Sequence, residues 1–262
     1  MPSTPARPPV DAAAPRLPPQ YELHRFASVD SVVATAERLA RDGAEEGTLV
    51  WADAQEAAPG RLGGRWEAPA GGFYAALVLR PEVPAEQVLQ LTYVALLSLG
   101  RSTAELLPGP MTMRYRWPND LLLGEGKVGA VWARYPAAAG APPAWLVLGV
   151  ALNPDVPCAD EQPIEEVATA RTPAATRLLE RFCRHFLAGI NRWDTHGFDA
   201  TRREWLTLAE EGGDEVDAQL ADGRVQGRFV DIDKAGRLLV ERDGRRRRVP
   251  LSAAYPPLPA GS

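Results

Sequence analysis

Five short apolar runs, each rich in β-forming residues and bounded by glycine, proline or charge, constrain this chain most: GTLVWAD (47–53), GFYAALVL (72–79), MRYRW (113–117), KVGAVWARY (127–135) and WLVLGVAL (145–152). Segments of helical period separate and follow them. One begins at Asp30 or Ser31, either of which can cap it, and runs through VVATAERLAR to Gly43, which suits the left-handed position past a helix end. A second covers 84–107, with Val88, Leu91, Val94, Ala95 and Leu99 on one face and an interruption expected at Gly100. A third starts at Ala174, repeats Leu178, Leu179, Phe182, Phe186, Ile190 and Trp193, and stops at Gly197; a last helix holds Trp205 and Leu208. Strands and helices mixed in this way predict an α+β fold, a mixed sheet packed with helices.

After Gly212 and Gly213 the texture changes to short β-type segments, EVDAQL, VQGRFVDI, GRLLVE and RRRVPL, separated by DGR, DKAG and RDG turns. They predict a small all-β barrel that must lean on its neighbour, because roughly 40 residues bury little surface. At the other end, residues 1–20 hold seven of the 25 prolines and few large apolar side chains, so they are expected to be a flexible leader. The division expected is therefore 1–20, 21–210 and 211–262.

Charge removes several classes of function. Lys+Arg 29 against Asp+Glu 34 gives a net charge of -5, with no basic excess to release counterions from a nucleic acid, so no DNA partner is expected. No run approaches the ~20 apolar residues needed to span a bilayer, and the N-terminus lacks a signal peptide's apolar stretch, so the chain reads as cytoplasmic. Cys158 and Cys183 are not spaced as a CxxC pair, and His24, His185 and His196 are scattered, so no protein-held metal site is expected. Cys183 falls in the apolar-periodic helix and is expected to be a core residue.

Two stretches can carry chemistry. Between the first two runs lies a loop with Gly60, Arg61, Gly63, Gly64 and Arg65, in which backbone N–H groups and a guanidinium can approach an anion. Such a loop is also an ordinary hairpin connection with solvated arginines. Further on, RYRWPNDLLLGEGKVGAVWAR stops a strand at Pro118, fixes a corner with Asn119 and Asp120, and opens the next strand at Lys127. Lysine is rare among this chain's many arginines, and one beside a glycine-rich loop can stabilise negative charge developing on a carboxylate and a phosphate. The GEGK segment does not satisfy the P-loop pattern. The run Arg245 to Arg248 reads as a solvated strand edge, with an acidic partner as the alternative.

Taken in order, DSVVATAERLA, GTLVWADAQ, GRLGGRW with APAGGFYAALVLRP, RWPNDLLLGEGKVGAV and VLGVALNP resemble the successive motifs of the biotin protein ligase and lipoate ligase catalytic domain. GRFVDIDKAGRLLVERDGRRRRVPL resembles the SH3-like domain that ends biotin protein ligases. The resemblance runs from about Tyr21 to Ser252 and is to members without an N-terminal winged helix. It implies a class II synthetase-like core that uses ATP with Mg²⁺ to convert biotin or a related acid into an acyl-adenylate. The acyl group then passes to a lysine of a biotinyl- or lipoyl-type carrier domain; a homodimer is left open.

By motif, the resemblance places Gly60, Arg61, Trp66, Asn119 and Lys127 at the nucleotide. It makes Lys127, Arg61 and Asp120 catalytic, and it lines the acid's pocket with Ser31, Gln55, Gly129 and Gly149. Two departures stand out. Ser31, Val32 and Val33 replace the usual Ser-Thr-Asn, and Ala58, Pro59, Gly60 and Arg61 replace GRGR. They leave two alternatives beside a biotin ligase: a ligase for lipoate or another acid, or a ligand-binding module of the same fold without efficient adenylation.

Overall fold

The computed structural model describes residues 14–57, 60–63, 68, 72–107, 112–138, 140–153, 173–209 and 215–259. In chain order these form β1 (Glu22–Phe26), α1 (Val32–Arg41), β2 (Thr48–Ala52), β3 (Phe73–Leu79), α2 (Ala85–Val88) and α3 (Leu91–Ala104). Then follow β4 (Met113–Arg116), β5 (Asp120–Leu123), β6 (Gly126–Arg134), β7 (Leu146–Leu152), α4 (Pro173–His196) and α5 (Asp199–Leu208). The C-terminal part holds β8 (Glu215–Leu220), β9 (Gly223–Ile232), β10 (Leu238–Arg242), β11 (Arg245–Val249) and α6 (Leu251–Ala254).

Seven strands make one sheet in the order β1-β2-β3-β7-β6-β5-β4, antiparallel except for the β1·β2 pair. The expected mixed sheet is therefore present. Because side chains alternate across a strand, the register separates two faces. One carries Leu49, Leu77, Leu148 and Val131 into the main core beneath α3 and α4. The other carries Val50, Ala76 and Val147 beneath α1. Helix α3 is sandwiched between the sheet and α4 and is buried along almost its whole length.

The break expected at Gly100 is not there. Helix α3 runs through it, and the interruption falls at Leu89–Gln90, between α2 and α3. What Gly100 provides is room: a Cβ at that position would lie 2.2 Å from the Tyr115 hydroxyl. The sequence pattern does not predict strands β1 and β5. The first is a mixed-polarity edge, and the second follows so closely on the Trp117–Asp120 turn that its apolar run looks like part of the corner.

The C-terminal strands form a separate antiparallel sheet, β11-β10-β9-β8, consistent with an SH3-like domain. It leans on the first part as its size requires. Tyr93 donates to Gly236 O at 2.9 Å, Arg202 pairs with Asp231 at 2.6 Å, and Phe229 packs on Trp205. At the N-terminal side, Arg16 N donates to Glu180 at 2.6 Å and Leu17 packs against the core. No described helix is long and apolar enough to cross a membrane.

Candidate active site

The candidate site is assembled on the α1 side of the sheet from three pieces of chain. The first is the β4–β6 segment. Trp117 to Asn119 form the turn between β4 and β5, and Val131 N donates to Asn119 O at 3.1 Å, which ties the turn to β6. A register shift between Leu121 and Leu122 then sets Lys127 opposite Leu122 and leaves Val128 in the main core. Without that extra residue Lys127 would point toward α3; with it, Lys127 shares the face of Asp120. Lys127 Nζ stands 2.5 Å from Asp120 Oδ1.

The second piece is the glycine loop. Arg61 opens a short turn in which Leu62 takes a left-handed conformation, φ 56°. Its guanidinium donates to Gln219 O at 2.6 Å and Ala254 O at 3.3 Å, both from the C-terminal part. Burial lowers its basicity, and the negative potential of Tyr255 and Asp120 works the other way. Arg61, Gly60, Asn119, Asp120 and Lys127 line one cleft of about 320 Å³. Trp66 lies outside the described residues, as do the substituted Ala58 and Pro59.

The third piece is the start of α1 over the sheet. Ser31 caps the helix by accepting from Ala34 N at 3.3 Å, and Gln55 Oε1 accepts from Val32 N at 2.8 Å. Both polar groups named from the sequence thus meet at one helix N-terminus and serve its free donors. Val33 packs over Gly149: a Cβ added to that glycine would lie 2.4 Å from Val33 Cγ2. Cross-strand rows Val50–Ala76–Gly149–Trp132 and Ala52–Tyr74–Ala151–Ala130–Asp120 make a floor of mostly small side chains leading to the cleft. Gly129 is three residues from Trp132 and faces the other way, against Leu121 and Leu152. The structure does not bring it onto this floor.

Several lining residues went unnamed by the sequence reading. Arg116 and Trp132 come from strands already recognised, whereas Asp217 and Gln219 come from β8, about a hundred residues away in the chain. Arg224 and Gln226 hold Asp217 below the usual carboxylate range. Only the alternation of EVDAQL hints that Asp217 and Gln219 share a side of their strand. Beneath the Trp117–Asp120 turn sits Tyr255, whose hydroxyl donates to Pro118 O at 3.3 Å and Val131 O at 3.5 Å; burial pushes its pKa up.

Cys183 is a buried core residue whose thiol burial pushes up to about 12, as the apolar helix pattern implied; Cys158 lies outside the described residues. Among the described residues no group of three His, Cys, Asp or Glu could hold a metal. A larger cavity of about 510 Å³ opens on the far side of the sheet, between α4 and the start of α2, and contains none of the candidate residues.

Solved structures share this two-sheet fold. A solved structure described as a biotin protein ligase from Aquifex aeolicus in complex with biotin and ATP superposes with TM-score 0.68 at 24% identity, covering 88% of this chain and 96% of that one. Another, a biotin protein ligase-like protein of unknown function from Silicibacter, gives TM-score 0.73 at 22% identity over 92% and 99%. These establish the fold.

Sequence carries the assignment further. Residues 17–207 match the Biotin/lipoate A/B protein ligase family and residues 212–253 match the biotin protein ligase C-terminal domain. A biotin--[acetyl-CoA-carboxylase] ligase of Paracoccus denitrificans is 30% identical over 88% of this chain and 98% of its own length. The chain belongs to the Biotin/lipoate A/B protein ligase family and is a ligase of the biotin protein ligase type.

Proposed function

We propose that the chain uses ATP to adenylate biotin and transfers the biotinyl group to a lysine of a carboxyl-carrier domain, with residues 21–210 as the catalytic domain. The observation that carries this reading is the convergence of Lys127, Asp120 and Arg61 on one cleft at the end of the small-residue floor. In the first step a biotin carboxylate oxygen bonds to the α-phosphorus of ATP and pyrophosphate leaves. In the second, the acceptor amine bonds to the acyl carbon and AMP leaves.

Lys127 sits where negative charge develops in both steps, and a preset cation there stabilises the transition state more than the ground state. Asp120 holds the ammonium in place and is the nearest base for the proton of the incoming amine. Asn119 and Gly60 line the nucleotide end, and Arg61 supplies a second cation. Ser31, Gln55 and Gly149 bound the acid's end, where Val32 and Val33 leave it more apolar than the family pattern.

Mg²⁺ would neutralise polyphosphate charge. Asp120 and Asp217 can each offer one carboxylate, which suits an ion held chiefly by phosphates. The enzyme acts in the cytoplasm, where ATP is available to it, and the net charge of -5 favours a protein acceptor over DNA.

The test is pyrophosphate release with Mg²⁺-ATP and, separately, biotin, lipoate or octanoate. Release is expected with biotin, falling about 100- to 1,000-fold in Lys127→Ala. Release with lipoate or octanoate alone would replace biotin as the substrate. Tight biotin binding with no release from any acid would instead favour a binding module.

A further inference from the structure

We propose that β11 is the docking edge for the acceptor protein, and that it recognises a carboxylate-rich strand or loop. This rests on the transfer reaction proposed above. Strand β11 is the last strand of the C-terminal sheet and, among the described strands, pairs only with β10. Four of its five residues, Arg245 to Arg248, are exposed. Nine basic and four acidic residues fall between Arg224 and Arg248, in a chain whose net charge is -5. The positive excess lies on β9, β10 and β11, whereas β8 and the turn after it carry Glu215, Asp217 and Asp222.

Neighbouring acids neutralise only half of the strand. Glu241 stands 3.0 Å from both Arg246 and Arg228, and Asp233 is 2.8 Å from Arg237 and 3.8 Å from Arg248. Arg245 and Arg247 have no carboxylate within 4.0 Å among the described residues. Both project to one side of β11, and Arg242 stands directly opposite Arg245, its own nearest carboxylate being Asp243 at 4.0 Å. Three guanidinium groups on one side of an open strand edge repel one another until an anionic partner arrives.

The chemistry favours a protein partner. Guanidinium groups bind carboxylates through paired hydrogen bonds, and an open edge offers backbone donors and acceptors for an added strand. A nucleic acid would meet the unfavourable overall charge and, in RRRRV, no aromatic ring on which a base could stack. Unpaired charge on an edge also blocks strand-to-strand aggregation, and the acceptor KM of the variants below separates that role from docking.

Geometry joins this edge to the reaction. At the opposite end of the same sheet, β8 supplies Asp217 and Gln219 to the cleft from the face that carries Arg246. Arg245 and Arg247 project from the other face at the strand edge, so a partner must straddle that edge. Three strand spacings separate the two, roughly 14 Å. A carrier domain of ~100 residues, with a radius of gyration of ~13 Å, can rest on β11 while its lysine reaches Asp120.

The experiment compares wild type with Arg245→Glu/Arg247→Glu and with the milder Arg245→Gln/Arg247→Gln, using a recombinant biotin-acceptor domain of an acetyl-CoA carboxylase. Pyrophosphate release with biotin and no acceptor should be unchanged in both variants. The KM for the acceptor should rise at least tenfold in the Glu pair and several-fold in the Gln pair, with kcat preserved and the salt dependence of wild-type transfer reduced. An acceptor KM within twofold of wild type in the Gln pair, with adenylation intact, overturns the proposal. So does loss of binding to a 30-base-pair DNA duplex without a change in acceptor KM, which would assign the edge to nucleic acid. Wild type that releases no pyrophosphate with biotin would overturn the functional reading instead, since that half-reaction does not involve β11.

Discussion

The two faces of the seven-stranded sheet follow opposite rules. Toward α3 and α4 the strands present Leu49, Trp51, Phe73, Leu77, Leu148 and Leu152, and the face is filled with large side chains. Toward α1 the same strands present Ala52, Ala76, Gly149, Ala151 and Ala130, with Tyr74 and Trp132 among them. Both faces are buried, so residue size, and not polarity, is what distinguishes them. Large residues fill the space under α3, whereas small ones let α1 pack closely on the sheet beside the cleft. The larger core and the candidate cleft therefore lie on opposite sides of one sheet.

The sharpest way to break this division is to truncate the filled face. Leu148 is 2% exposed in the main core, and Leu148→Ala should cost about 2–5 kcal/mol through lost transfer energy and a residual cavity. Urea unfolding should show the loss, while biotin affinity of the remaining folded protein stays within twofold. A fall in affinity as large as the fall in stability would mean that the faces are not separable.

The small-residue face should respond in the other sense. Gly149→Ala places a methyl group against Val33, and overpacking of this kind costs about 1–3 kcal/mol. If the strain is local, adding Val33→Ala should restore most of the stability. If Val33 and Gly149, which face each other, bound the acid as proposed, the double variant should also alter the ranking of biotin, lipoate and octanoate. Strain that persists with Val33→Ala would place the conflict in the backbone, and an unchanged ranking would remove Val33 from the acid pocket.

How much of this was legible in the sequence follows from chain separation. Asn119, Asp120 and Lys127 lie within nine residues of one another, so a turn and a hairpin suffice to bring them together. Asp30 and Ser31 both announce a helix start, and of the two Ser31 is the cap. The β-bulge that turns Lys127 toward Asp120 leaves no mark in the apolar pattern, because Leu121, Leu122 and Leu123 read alike on either register. Gly129 and Gly149 look equivalent in sequence, and only the pairing of β6 with β7 shows that they face opposite ways. The Arg61 contact to Gln219 spans 158 residues, a distance over which local pattern carries no information. A glycine loop with arginines reads as an anion site or as a hairpin connection with solvated arginines; that its guanidinium grips the C-terminal part is a property of tertiary packing.

The smallest expected effect is the most discriminating for the α1 side. Ser31 is 3% exposed and its hydroxyl oxygen accepts from Ala34 N, so it acts here as an N-cap. Loss of such a cap typically costs ~1 kcal/mol, and asparagine or aspartate can replace it. Ser31→Ala should therefore lower stability by about that amount, with Ser31→Asp recovering it. Gln55 remains on Val32 N in either variant, which holds the helix start in register and limits the effect on ligand. Biotin affinity measured by calorimetry should then change less than threefold. A tenfold loss of affinity at unchanged stability would show that the Ser31 hydroxyl faces the acid and not the helix, and that the small-residue floor extends beneath the first turn of α1.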